Sequence, residues 1–213
     1  MSVLFGGSDQ FDVEQSETWE YNGTNWSQAS PTTSPAARSG HSLAFNSGDN
    51  KVYLFGGNAD TTYFSDLWTY DGTTWTELTP STAPPARSKH GMAIGNGQIL
   101  IFGGRTAAGT LLGDTWVYDI ATNSWSEVSG AGPEARMKHS IVYDVANSEF
   151  VMMAGTSDAD DIYLTDTWRY ATSGGWESIT RPGPDFSKPF RVVYDDDRSV
   201  IVLFSAGETW EFK

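Results

Sequence analysis

The chain has 213 residues, enough for one domain with a core that needs no disulfide. It contains no cysteine, which excludes disulfides and thiolate metal sites, and its formal net charge of −14 disfavours binding to nucleic acid or to anionic membranes. Apolar runs such as Val200–Phe204 are strand-sized, and the residues after Met1 lack the basic region and cleavage site of a signal peptide. We therefore expect a soluble protein, and the sequence leaves its compartment open.

Short strands are predicted along the whole chain, in line with 22 glycines and an aromatic content of 14%. The first, Ser2–Phe5, runs into Gly6-Gly7, and this Phe-Gly-Gly sequence recurs at Phe55 and Phe102. Two degenerate copies, Met-Ala-Gly at Met153 and Phe-Ser-Ala at Phe204, follow, so that successive copies are 50, 47, 51 and 51 residues apart. This spacing indicates an internal repeat of about 50 residues.

A second signature follows each copy and has the form acid-x-Trp-x-aromatic. It occurs at Glu17–Tyr21, Asp66–Tyr70, Asp114–Tyr118, Asp166–Tyr170 and Glu208–Phe212. A further tryptophan trails the first four copies, at Trp26, Trp75, Trp125 and Trp176. The two positions account for all nine tryptophans of the chain.

Each unit divides into four predicted strands, a to d. Strand a is predicted at His41–Phe45, His90–Ile94, His139–Tyr143 and Phe190–Tyr194. Strand b is predicted at Ser2–Phe5, Lys51–Phe55, Gln98–Phe102, Glu149–Met153 and Ser199–Phe204. Strand c carries the acid-x-Trp signature, strand d carries the trailing tryptophan, and pairs such as Asn22-Gly23 suit the tight turns between them. A four-stranded meander that repeats in this way is typical of a propeller blade.

The sequence resembles the kelch-repeat family of β-propellers. The resemblance rests on the glycine doublet, the spaced aromatic residues and a Pro-x-Ala-Arg-x-x-His segment at Pro35–His41, Pro84–His90 and Pro133–His139. It implies one all-β propeller domain over residues 1–213, with units at about 1–30, 31–80, 81–130, 131–181 and 182–213. Stacked blades then bury their tryptophans against each other. We expect the repeated acid to be structural, accepting hydrogen bonds from turn N–H groups or from an arginine.

The first and last units are incomplete, because the first lacks strand a and the last lacks strand d. Three architectures stay open: a five-bladed propeller with two thin blades, a four-bladed ring in which Phe190–Tyr194 completes the first unit, or a fragment that pairs with other chains. We favour five blades. The open terminal strands also predict a homodimer as one alternative assembly.

The resemblance implies that partners bind the propeller face formed by the d–a loops and the b–c loops. We predict a non-catalytic module that binds a protein or carbohydrate ligand there; the alternatives are a carbohydrate-active or sialate-mutarotase-like enzyme and a structural building block. The candidate binding residues are Arg38, Arg87, Arg136, Lys188, Arg191, Arg105, Tyr63, Phe64 and Tyr163, with Leu111, Leu112 and Ile162 as further apolar contacts. Two alternatives stay open: each arginine pairs with a repeated acid and locks blades together, and the apolar tips fold back as local packing.

Metal and cofactor sites are not predicted. The three histidines, His41, His90 and His139, share one repeat position and suit structural hydrogen bonds better than one metal ion. The acidic clusters Asp158–Asp161 and Asp195–Asp197 lack calcium-loop spacing and are expected to be solvated loops. Related copper oxidases need a cysteine, and nitrile-forming relatives need a Glu-x-x-x-Asp-x-x-x-His motif. This chain has neither, which leaves the mutarotase-like alternative open.

Overall fold

The computed structural model describes residues 2–157, 163–179, 190–195, 197–205 and 207–212. All named elements of secondary structure within these ranges are β-strands. No helix among the described residues is long and apolar enough to span a membrane. The strands form five small antiparallel sheets, the blades of a propeller, and one two-stranded hairpin. The predicted five-bladed, all-β propeller is thereby confirmed. The four-bladed alternative is not observed, because Phe190–Asp195 pairs within the fifth sheet.

The blades follow each other in chain order. The first blade contains β1 (Ser2–Phe5), β2 (Thr18–Tyr21) and β3 (Trp26–Ala29). The second contains β4 (Ser42–Asn46), β5 (Lys51–Phe55), the hairpin β6 (Asn58–Ala59) and β7 (Thr62–Tyr63), then β8 (Leu67–Tyr70) and β9 (Trp75–Leu78). The third contains β10 (Gly91–Gly95), β11 (Gln98–Phe102), β12 (Thr115–Asp119) and β13 (Ser124–Val128). The fourth contains β14 (Ser140–Asp144), β15 (Glu149–Met153), β16 (Thr167–Ala171) and β17 (Gly175–Ile179), and the fifth contains β18 (Phe190–Asp195), β19 (Val200–Ser205) and β20 (Glu208–Phe212).

Three of the inner strands begin one residue later than the sequence predicts, after the histidine rather than on it. The reason is the register: Phe55, the last residue of β5, lies opposite Ser42, the first residue of β4. Gly56 then leaves the sheet with a φ of +67°, so His41 has no opposite residue with which to pair. A side chain at Gly56 would also place its Cβ 2.7 Å from the Arg87 carbonyl oxygen, which explains the repeated glycine.

The hydrophobic core lies between neighbouring blades and is built from repeated aromatic pairs. Phe5 of the first blade meets Trp75 of the second edge-on, with 5.1 Å between ring centroids. Equivalent pairs occur at the next two junctions, Phe55–Trp125 at 5.3 Å and Phe102–Trp176 at 5.4 Å. At the first junction the Trp75 indole also donates to Thr18 Oγ1 at 2.9 Å. Aromatic pairs of this kind contribute about 0.5–1.5 kcal/mol each beyond their buried area, so the tryptophans stabilise the stacking of blades.

The inner strands β4, β10, β14 and β18 lie side by side in that order. The approach of β10 to β14 is close because β10 begins with a glycine. A Cβ on Gly91 would lie 2.5 Å from His139 Nε2, and the Gly91 N–H instead donates to that nitrogen at 3.1 Å. The structural hydrogen bond predicted for the histidines is therefore present at His139.

Candidate functional site

The loops that lead into the inner strands and the loops that follow strands β5, β11 and β15 meet at one end of the molecule. Within the third blade, Ser88 and Arg105 exchange backbone hydrogen bonds of 3.1 and 2.9 Å. Between blades, Gly57 N donates to the Arg87 carbonyl oxygen at 2.9 Å. The lead-in loops of the second, third and fourth blades thus each join their own blade to the preceding one, which holds this end of the propeller together.

The lead-in arginines are buried in ion pairs. Arg87 donates from Nη1 and Nη2 to the two carboxylate oxygens of Asp114, at 2.7 and 2.6 Å, and from Nη1 to the Gly103 carbonyl oxygen at 3.0 Å. Burial raises the pKa of Asp114, but the hydrogen bonds and charge of Arg87 outweigh burial and leave that pKa below its ordinary value. The same contacts are made by Arg38 with Asp66 and the Gly56 carbonyl, and by Arg136 with Asp166 and the Ala154 carbonyl.

The repeated acid has a second partner, the tryptophan two residues after it. Trp116 Nε1 donates to Asp114 Oδ2 at 2.8 Å, since side chains two residues apart lie on the same face of a strand. Equivalent bonds join Trp19 to Glu17, Trp68 to Asp66 and Trp168 to Asp166. The acid accepts hydrogen bonds from an arginine, as the sequence analysis predicted. The sequence analysis missed the second donor, the indole N–H, which the acid-x-Trp spacing could have indicated.

These contacts use the guanidinium groups that the sequence analysis placed in a binding site. Arg38, Arg87 and Arg136 are at most 1% exposed. Each pairs with the repeated acid of its own blade, so the predicted pairing is present but joins the lead-in loop to its own sheet rather than one blade to the next. A ligand-binding role for these arginines stays a prediction. Phe64 lies under Arg38, with 4.0 Å from the guanidinium carbon to the ring centroid, so this loop residue packs locally. Tyr63, Leu111, Leu112 and Arg105 are half-buried. Lys188 and Ile162 lie outside the described residues.

A cavity of about 510 Å³ opens at this end, between the third, fourth and fifth blades. Two predicted residues line it: Tyr163, whose side chain is 46% exposed, and Arg191 at the start of β18. The other lining residues are Lys89, His90, Lys138, His139, Ser140, Gly155, Thr156 and Phe190. We call this the cationic cavity, because its described lining has three cationic residues and no carboxylate.

Backbone hydrogen bonds between blades fix the positions of the two lysines of the cationic cavity. Lys89 and Lys138 both have a φ of +59°, and Lys138 N donates to the Lys89 carbonyl oxygen at 2.9 Å. Lys89 N donates in turn to the Gly40 carbonyl oxygen at 2.7 Å. This ladder of backbone bonds runs from blade to blade and sets both lysines on the rim of the cavity.

Buried polar atoms also face this region. Thr156 Oγ1 and both ring nitrogens of His90 make no hydrogen bond with the described residues. Burial and the neighbouring Arg87 charge hold the pKa of His90 well below its ordinary value, and burial with Arg136 lowers the pKa of His139 to about 3. Both imidazoles are therefore neutral near pH 7 and can exchange hydrogen bonds without adding charge.

Groups of acidic or histidine side chains that could hold a metal ion do not occur among the described residues. The acidic cluster at residues 158–161 lies outside those residues, as does Asp196. Asp195 accepts a hydrogen bond from Arg198 Nε at 2.8 Å, so its carboxylate is paired with a guanidinium group.

Comparison with known proteins agrees with this architecture. The family model of the KLHDC2/KLHL20/DRC7 Kelch-repeats domain matches residues 1–201. The chain belongs to the kelch-repeat family. The chain is also 32% identical over 95 residues to the multiple epidermal growth factor-like domains protein 8 of Rattus norvegicus. That match covers 44% of this chain and 3% of the relative, so it says nothing about shared activity.

Kelch domains generally mediate protein interactions. In this kelch domain the sequence signal for the cationic cavity was an Arg-x-Lys-His segment, present at Arg87–His90 and Arg136–His139 and replaced by Arg-Ser-Gly-His in the second blade. The sequence analysis considered the arginine and the histidine of this segment and missed the lysine between them. The lysine is the one of the three that is not enclosed by the blade junction.

Proposed function

We propose that this kelch domain is a non-catalytic protein-interaction module that binds an acidic segment of a partner protein at the cationic cavity. One observation carries the proposal: Lys89, Lys138 and Arg191 surround a single cavity on a chain whose net charge is −14. Three clustered cations attract carboxylates, and on so acidic a protein they distinguish this place from the rest of the surface.

The other lining residues support a peptide rather than a free ion. Tyr163 and Phe190 offer aromatic surface beside the cations, which suits a segment that mixes carboxylates with apolar side chains. A volume of about 510 Å³ falls within the range of specific ligand pockets, roughly 300–1,000 Å³.

The test is a titration of the whole chain against a fluorescein-labelled peptide of eight glutamates, followed by fluorescence anisotropy at low salt. We expect Lys138→Glu to weaken binding at least tenfold, because it reverses a charge on the cavity rim, and raising the salt concentration to weaken binding of the wild-type chain. The matched control is Lys51→Glu, which makes the same charge change in β5, away from the cavity.

Equal weakening by the two variants contradicts the proposal, because it would show attraction to the chain as a whole rather than to one site. Binding of a neutral oligosaccharide at the cavity, with no binding of the acidic peptide, also contradicts it and favours the carbohydrate alternative. The homodimer stays a prediction.

A further inference from the structure

The junction between the third and fourth blades contains a second cavity, of about 320 Å³, beside the outermost strands. Residues 128–132, at the end of β13 and in the loop after it, line one side, and residues 174–176, at the turn into β17, line the other. Gly113 and Thr115 also line it. We call this the glycine-lined cavity, and it shares no lining residue with the cationic cavity.

The first and second junctions are closed at the same place by threonines. Thr33, in the loop after β3, donates to the Trp75 carbonyl oxygen, and its Oγ1 lies 3.2 Å from Thr74 Oγ1. Thr82, in the loop after β9, donates to the Trp125 carbonyl oxygen at 3.3 Å. Both threonines stand five residues before a lead-in arginine, so a hydroxyl at this repeat position seals the loop against the next blade.

The third junction lacks both sides of this seal. Ala131 holds the position of the two threonines, and Gly175 holds that of Thr74. The loop 129–135 is also one residue shorter than the corresponding loops of the other two junctions. A shorter loop and smaller side chains therefore leave open the space that threonines fill elsewhere.

The glycine-lined cavity uncovers an indole that the other junctions bury. Trp176 is half-buried, whereas the tryptophans at the same position in the second and third blades are 1% and 5% exposed. Trp176 is nevertheless held in place, because its Nε1 donates to Thr115 Oγ1 at 2.8 Å and its ring meets Phe102 edge-on. A Cβ at Gly132 would lie 3.2 Å from Trp176 Cδ1, so this glycine leaves the ring edge uncovered. The cavity thus has a fixed aromatic wall.

The other walls are polar and carry no charge. None of the described lining residues has an ionisable side chain. Residues 129–132 make no hydrogen bond with the described part of the chain, so their N–H and C=O groups lack protein partners there. Thr115 is 4% exposed and accepts from Trp176, and its own hydroxyl hydrogen has no acceptor among the described residues. These walls suit a ligand that is neutral and both donates and accepts hydrogen bonds.

We propose that the glycine-lined cavity binds one neutral sugar unit. A charged ligand would find no counter-ion in the lining, and a purely apolar ligand would cover backbone groups without pairing them. A sugar ring meets both requirements, because its hydroxyls pair with N–H and C=O groups while its C–H groups pack against the uncovered part of the Trp176 indole. The volume lies near the lower end of the range of ligand pockets, roughly 300–1,000 Å³, which limits the ligand to about one ring. This site does not rest on the function proposed for the cationic cavity.

The probes are D-glucose, D-galactose and D-mannose, each titrated against the whole chain by isothermal titration calorimetry. We expect saturable binding of at least one of them with a dissociation constant on the order of 1 mM, as is usual for so small a ligand. The uronic acid of the bound hexose should bind several-fold more weakly, because the lining offers no cation to its carboxylate. Its methyl glycoside distinguishes two sources of the sugar: equal affinity assigns the site to the end of a glycan, and lost affinity assigns it to a free sugar.

The repeat supplies the variant that closes the cavity. Ala131→Thr restores the side chain that seals the other two junctions, and it should weaken sugar binding about tenfold or more. Ala131 is exposed, so we expect no loss of melting temperature in this variant. The matched control is Ala107→Thr, which makes the same change in an exposed loop of the third blade outside the cavity and should bind sugar as the wild type does.

Nuclear magnetic resonance of the indole N–H groups locates the bound sugar independently of affinity. We expect the Trp176 signal, assigned with a Trp176→Phe variant, to shift on binding. The proposal would be overturned by absence of binding of all three hexoses, by tighter binding of the uronic acid, or by equal weakening in Ala131→Thr and Ala107→Thr. Shifts confined to other indoles would also overturn it, because they would place the sugar elsewhere on the propeller.

Discussion

The junctions between blades and the two end faces of the propeller use the same repeat positions in different surroundings. Trp75, at the junction of the first and second blades, is 1% exposed, whereas its counterpart Trp26 on the end face of the first blade is 50% exposed. Phe55 is fully buried against the third blade, whereas its counterpart Phe204 on the fifth blade is 55% exposed. The repeat therefore fixes which residue is present, and the neighbouring blade decides whether that residue stabilises the fold.

The largest effect expected from this comparison concerns the tryptophans. Trp75→Ala removes a buried side chain, its edge-on contact with Phe5 and its bond to Thr18, and should lower the free energy of unfolding by about 4 kcal/mol. For a chain of this size the melting temperature then falls by roughly 10 °C, measured by calorimetry. Trp26→Ala is the matched change on the end face and should cost less than about 1 kcal/mol. Similar losses for both variants would show that the end face is covered in solution.

The next effect concerns the arginine lock. Arg87→Ala leaves the carboxylate of Asp114 without its cation and should cost about 3 kcal/mol of unfolding free energy. Arg169→Ala is the control, because Arg169 pairs with Glu177 at an exposed position and such pairs contribute about 0.2–1 kcal/mol. Denaturant titration of both variants measures the difference. An Arg87→Ala variant as stable as the wild type would refute the lock and favour the binding role first predicted for these arginines.

The smallest effect per residue is a pH dependence that belongs to the internal junctions. In the unfolded chain a histidine has a pKa near 6.5, whereas burial lowers the pKa of His41 to about 4 and that of His139 to about 3. As the pH falls below 6.5 the unfolded chain binds protons that the folded chain does not, so stability decreases. At pH 5 each histidine should cost the folded state about 2 kcal/mol relative to pH 7.

The fifth blade provides the variant that tests this pH dependence, since Phe190 stands there at the histidine position. His139→Phe should reduce the loss of melting temperature between pH 7 and pH 5, whatever its effect on stability at pH 7. An unchanged pH dependence in this variant would show that His139 does not contribute to it.

Much of the fold could be predicted because a repeated sequence constrains itself. The predicted bounds of Ser2–Phe5, Lys51–Phe55, Gln98–Phe102 and Glu149–Met153 agree with the structure, since a glycine or alanine with positive φ ends each of these strands. The inner strands were less well predicted, because their first residue depends on the register with a neighbouring strand. Of the residues that line the cationic cavity, Tyr163 and Arg191 were among the candidates from the sequence, whereas Lys89 and Lys138 were not.

The amino-acid sequence alone determined the blade, since the spacing of glycines, acids and tryptophans is a local property that survives in every copy. Tertiary structure decided which of the cationic side chains are enclosed and which reach the surface. Arginine and lysine stand two residues apart in the same loop, and only the packing of blades encloses the guanidinium beside Asp114 while leaving the ammonium on the cavity rim. That choice depends on contacts between segments about 30 residues apart or more, and no local pattern records the distance between them.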